Sequence, residues 1–67
     1  MVRIVRYLID KEWRRTKDIA SDLAMPQTTT TLELEDLSMI GVLGRQPDLK
    51  EGEGLAQLLS NWKSYLL

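Results

Sequence analysis

The chain contains no cysteine and no histidine. Metal sites built from thiolate or imidazole ligands therefore have nothing to form them. A serine or cysteine nucleophile has no imidazole to activate it. No disulfide framework is possible, which fits a reducing, cytoplasmic setting. No apolar run approaches the ~18 residues that a membrane span needs, and no signal-peptide pattern is present. Nor is there a glycine-rich phosphate loop, so neither an enzyme nor a bound cofactor is expected. Asp48, Glu51 and Glu53 are spaced wrongly for a calcium-binding loop, and no metal site is assigned to them.

What is present is short and electrically lopsided. Sixty-seven residues make one domain, spanning 1–67. A chain of that size buries only about 60% of its unfolded surface, so its stability is marginal and partners matter. The helical pattern is already running at MVRIVRYLID, and the chain ends in YLL with no polar tail. This reads as a domain excised from, or part of, a larger protein, or as a very compact small one. Residues 1–17 carry six cations against two carboxylates, a net +4, whereas residues 18–54 carry eight carboxylates against two cations, a net −6. The front is basic and the middle acidic.

Val2, Val5, Leu8 and Ile9 recur at helical spacing, with Ile4 and Tyr7 flanking, which predicts an amphipathic helix of about three turns. Arg14 and Arg15 fall in the connection that follows, and Thr16 is placed to cap the next helix. That helix, TKDIASDLAM, turns Ile19, Ala20 and Leu23 inward and is stopped at Met25-Pro26. The stretch TTTTLELEDL alternates like a strand for only about five residues. A helix instead groups Thr30, Leu34, Leu37 and Gly41 in one arc, with Ile40 nearby, over about four turns. Threonine costs a helix only about half a kcal/mol each, and first-turn threonines can cap. A helix over 27–40 is therefore predicted, with Gly41 past its end. VLGRQPD reads as a short strand and LKEGEG as a turn. LAQLL returns as a strand, with Ser60 capping a short last helix. One long helix through Leu55, Leu58, Leu59, Trp62 and Leu66 stays open as the alternative.

Thr16, Ile19, Ala20, Leu23, Pro26, Thr28, Thr29, Leu34, Leu37, Gly41, Val42, Leu43 and Arg45 stand in an ordered pattern. Residues 16–45 resemble the winged helix-turn-helix DNA-binding domains of transcription regulators and mobile-element replication proteins. The resemblance covers nearly half the chain strongly and most of the rest loosely. It implies a mainly α fold with a small β-hairpin wing over 42–59, and a three-helix core plus a C-terminal helix.

The resemblance further implies a double-stranded DNA partner, with helix 27–40 entering the major groove. Gln27, Thr28, Thr29, Thr31 and Leu32 would then lie closest to the bases. Glutamine can bridge adenine N6 and N7, and threonine and leucine methyls can meet the thymine methyl. Arg14, Arg15, Thr16 and Lys17 would hold phosphates, and Arg45 and Lys50 would let the wing contact the backbone or minor groove. Trp62 and Tyr65 on the last helix would serve core packing or a homodimer. An alternative comes from the residues themselves. Helix 27–40 has no cation, carries Glu33, Glu35 and Asp36, and leaves Leu32 and Met39 outward. Such a face also suits docking of another protein, with the same fold serving interaction or dimerisation.

Overall fold

The computed structural model describes residues 2–47 and 54–66. These form a small mixed α/β unit of four helices and a three-stranded antiparallel sheet. In chain order the elements are α1 (Val2–Leu8), β1 (Arg14–Arg15), α2 (Thr16–Asp22), α3 (Gln27–Met39), β2 (Leu43–Gln46), β3 (Leu55–Leu58) and α4 (Trp62–Leu66). The sheet order is β1-β3-β2, so the last strand lies between the other two.

The core is built from every long element. Ile4, Val5 and Leu8 of α1 meet Ile19 of α2, Leu34 and Leu37 of α3, then Val42, Leu43 and Ala56 from the sheet side. The inner face of α1 is rotated from the one its spacing predicted. Val2 is exposed and Ile9 half-buried, while Ile4 and Val5 are fully buried. The helix stops at Leu8, and Asp10 takes a left-handed φ of 61° that reverses the chain. Ile9 thus sits in the turn and cannot complete a helical stripe.

Arg14 and Arg15 do not form a plain connection. They pair antiparallel with β3, Arg14 opposite Ala56 and Arg15 opposite Leu55. The mainly helical fold with a two-stranded hairpin thus gains a third strand. A two-residue strand is specified by its main-chain groups meeting an open sheet edge, and its side chains carry almost no signal.

Helix α2 begins at Thr16 itself. Arg15 stands in the capping position with an extended φ/ψ of −72°/144° and no side-chain cap. Ile19 and Ala20 are buried as expected, and Leu23 packs half-buried against the core. The helix ends before Met25-Pro26, by a turn in which the Met25 N–H reaches back to the Ala20 carbonyl at 2.9 Å. Ala24 adopts φ 53° to allow it.

Helix α3 buries Thr30, Leu34 and Leu37, the arc that decided for a helix over a strand. Its first-turn threonines do not cap it. Pro26 precedes the helix, and its carbonyl accepts both the N–H and the hydroxyl of Thr30 at 3.0 Å. Thr31 likewise donates its hydroxyl to the Gln27 carbonyl at 3.0 Å. These back-bonds satisfy the hydroxyls within the helix. At the far end Gly41 takes φ 83° and the Val42 N–H bonds the Leu37 carbonyl at 3.0 Å. Ile40 is exposed there and does not join the inner arc.

β2 and β3 pair antiparallel from Leu43 opposite Leu58 to Gln46 opposite Leu55, so Leu55–Leu58 is a strand and not a helix. The first turn of α4 is closed by main chain, the Trp62 N–H donating to the Leu59 carbonyl at 3.1 Å. Among the described residues no helix is long and apolar enough to cross a membrane.

Candidate nucleic-acid interface

Pairing of β1 with β3 brings the basic corner against the end of the β2–β3 pair at which Gln46 faces Leu55. Arg14 is exposed on β1, Arg15 is half-buried beside it, and Lys17 is exposed in the first turn of α2. Thr16, between them, is fully buried. Its N–H and its hydroxyl both donate to the Gly54 carbonyl, each at 3.1 Å. Arg45, across on β2, donates from Nη2 to the Thr16 hydroxyl oxygen at 3.3 Å. Burial pushes the Arg45 guanidinium below its ordinary pKa, and the nearby Glu35 carboxylate opposes that shift.

Two of the expected phosphate contacts are thus engaged inside the fold. Thr16 ties α2 to the hairpin and offers no surface to a ligand. Arg45 is half-buried over the same joint. The exposed cations at this corner are Arg14 and Lys17. Lys50 lies outside the described residues, as do Asp48, Glu51 and Glu53.

The second candidate surface is the outer side of α3. Gln27, Thr28, Thr29, Leu32, Glu35, Asp36 and Met39 are exposed along it, and Thr31 and Glu33 are partly covered. Gln27 opens the helix, so its amide and the hydroxyls of Thr28 and Thr29 project from the first turn. Leu32 is 59% exposed and Met39 84%. The N-terminal half of the face is uncharged and hydrogen-bonding, while the C-terminal half is acidic and apolar.

A clasp between α1 and α2 has no counterpart in the sequence pattern. The Tyr7 hydroxyl donates to an Asp22 carboxylate oxygen, and Arg3 donates to the Leu23 carbonyl. Lys11 places its ammonium 4.7 Å from the centre of the Tyr7 ring. The Asp22 hydrogen bond, helped by burial, raises the Tyr7 pKa above its usual value. Trp62 and Tyr65 are half-buried and pack against the core of their own molecule. Among the described residues no group of carboxylates could hold a metal ion.

Comparison with family models, with curated proteins and with solved structures gives no match to this chain.

Proposed function

We propose that the chain is a winged helix-turn-helix DNA-binding module of the kind found in transcription regulators and mobile-element replication proteins. The observation that carries this reading is the order of elements and strands. A helix, a two-residue strand, two helices joined by a four-residue turn, and an antiparallel β2–β3 pair whose β3 lies between β1 and β2 support it. In it, α3 enters the major groove and residues 42–59 form the wing. Gln27, Thr28 and Thr29 face the bases, and Leu32 supplies a methyl-rich contact at the groove edge.

Affinity rests on few cations. Arg14, Arg15 and Lys17 neutralise phosphates beside the hairpin, whereas Glu35 and Asp36 oppose the approach of DNA to the far half of α3. Thr16 and Arg45 act from within, holding the wing to the start of α2, and do not touch DNA. Substituting Arg14 and Lys17 with alanine tests this by fluorescence anisotropy. Binding to every duplex should weaken and its salt dependence flatten, whereas Gln27→Ala should change the preferred sequence. If neither substitution alters binding, the reading fails.

The exposure of Leu32 and Met39 favours a second reading, in which the acidic half of α3 docks a protein. Leu32→Ser with Met39→Ser should then remove a bound partner while the circular dichroism spectrum stays unchanged.

A further inference from the structure

Two helices of this fold each carry charge of one sign. Helix α1 holds Arg3 and Arg6 and no carboxylate, while α3 holds Glu33, Glu35 and Asp36 and no cation. Each also exposes apolar side chains. Val2 is 42% exposed at the start of α1, and Met39 and Ile40 are 84% and 56% exposed at the end of α3. Leu59 stands exposed close by, its N–H bonded to the carbonyl of Val42 just past the Gly41 turn.

These groups form two separate surfaces. Val2, Arg3 and Arg6 lie on the solvent side of α1, opposite Ile4, Val5 and Leu8. Glu35, Asp36, Met39 and Ile40 lie at the C-terminal end of α3. At a rise of 1.5 Å per residue they stand about 10 Å or more from Gln27 and Thr28 along the axis. Neither surface is the one assigned to DNA.

We infer that the chain associates with itself head to tail, α1 of one copy docking on the C-terminal half of α3 of the next. Arg6 then faces Asp36, and Val2 is covered by Met39 and Ile40. Charge complementarity selects a second copy as the occupant, because each molecule carries both the basic-apolar and the acidic-apolar surface. Pairing α3 with α3 would instead oppose carboxylate to carboxylate. Arg3 is already held by the Leu23 carbonyl and Glu35 already feels Arg45, so Arg6 and Asp36 make the main pair. Docked head to tail, each copy leaves one of its two surfaces for the next, so the contact is heterologous and extends from copy to copy into a ring or a filament. This inference goes beyond the DNA reading. It rests on the second reading for the availability of the end of α3, and it names the occupant.

Sedimentation velocity across a concentration series tests it. At low salt the sedimentation coefficient should climb continuously with concentration, and at high salt it should return to the monomer value. Arg6→Glu and Asp36→Arg, each checked for fold by circular dichroism, should each weaken association about tenfold or more. An equimolar mixture of the two should associate again, since the reversed charges meet. Met39→Ser should weaken association and leave its salt dependence in place; it also serves if a charge variant misfolds. A chain that stays monomeric at every concentration overturns the inference. So does a discrete dimer that survives both reversals, or a mixture that associates no better than its components. Both charge variants keep Arg14, Lys17, Gln27, Leu32 and Met39. The DNA reading is scored instead on Arg14→Ala, Lys17→Ala and Gln27→Ala, which leave Arg6, Asp36 and Met39 in place, and capture of a different protein on α3 is scored with Arg6→Glu, which leaves α3 intact.

Discussion

The Arg45 guanidinium and the Thr16 hydroxyl, 29 positions apart in the chain, meet at 3.3 Å, and the same hydroxyl donates to the Gly54 carbonyl. One fully buried threonine thereby joins β2, the start of β3 and the first turn of α2. The hairpin is positioned relative to α2 by this joint, with β1 pairing beside it.

Removing either partner should loosen the hairpin. Thr16→Val keeps the shape but leaves the Arg45 Nη2 donor without this acceptor and the Gly54 carbonyl without its hydroxyl donor. We expect a loss of about 1–3 kcal/mol in urea unfolding, the usual cost of breaking buried hydrogen bonds. Arg45→Met should cost a similar amount or less, because methionine fills the space and removes the charge that burial disfavours. A stability equal to the parent's in both variants would show that the joint is idle.

The left-handed residues should respond in opposite directions. Ala24 ends α2 at φ 53° and carries a side chain that this conformation disfavours. Ala24→Gly should stabilise by up to about 1 kcal/mol. Gly41→Ala meets no neighbouring atom but must hold φ 83°, so it should cost about 1 kcal/mol. Gly54→Ala should cost more. It adds to φ 92° a Cβ at 3.1 Å from both the Gln46 carbonyl oxygen and Arg45 Nη2. Thermal melts of the three variants give the order directly.

Leu34 and Leu37 are fully buried on the inner face of α3. Leu34→Ala should destabilise by about 2–5 kcal/mol, which is enough to unfold much of so small a domain. Leu32→Ala, two residues earlier and on the solvent side, should change stability by less than about 0.5 kcal/mol. Denaturant midpoints of the pair would report directly on the orientation of α3.

Tyr7 supplies a pH signature. Its hydrogen bond to Asp22 raises its pKa in the folded chain above the unfolded value of about 10. The protonated phenol is the form that folding favours. The contribution is therefore complete below the unfolded pKa and is lost as pH rises through the folded one. Absorbance titration at alkaline pH should show one late-ionising tyrosine, and Tyr7→Phe should remove it. Persistence of that step in Tyr7→Phe would assign it elsewhere.

The sequence carried the helices well where burial made the period strong. Thr30, Leu34 and Leu37 fixed α3 despite four threonines, because an inner face of four turns outweighs propensities of a few tenths of a kcal/mol. Gly41 marked the end of α3, and the return of LAQLL as a strand followed from its place after a glycine-rich turn. The strand Arg14–Arg15 was invisible, since its pairing uses main chain alone. Val2 and Ile9 fall outside the inner face because α1 spans only Val2–Leu8, and Ile4 joins Val5 and Leu8 there instead. Among the candidate contacts, Arg14, Lys17, Gln27, Thr28 and Thr29 emerged on the surface as read. Thr16 did not, because a hydroxyl that suits a helix start suits a buried joint equally well.

The DNA reading stands or falls on a salt titration of binding to a generic duplex, followed by fluorescence anisotropy from low ionic strength upward. Each phosphate neutralised contributes about −0.9 to the slope of log K against log salt. With Arg14, Arg15 and Lys17 at the interface, a slope of roughly −2 to −4 is expected, reduced by about one for each of the substitutions Arg14→Ala and Lys17→Ala. Absence of binding at the lowest salt, or a slope that these substitutions leave unchanged, would contradict it.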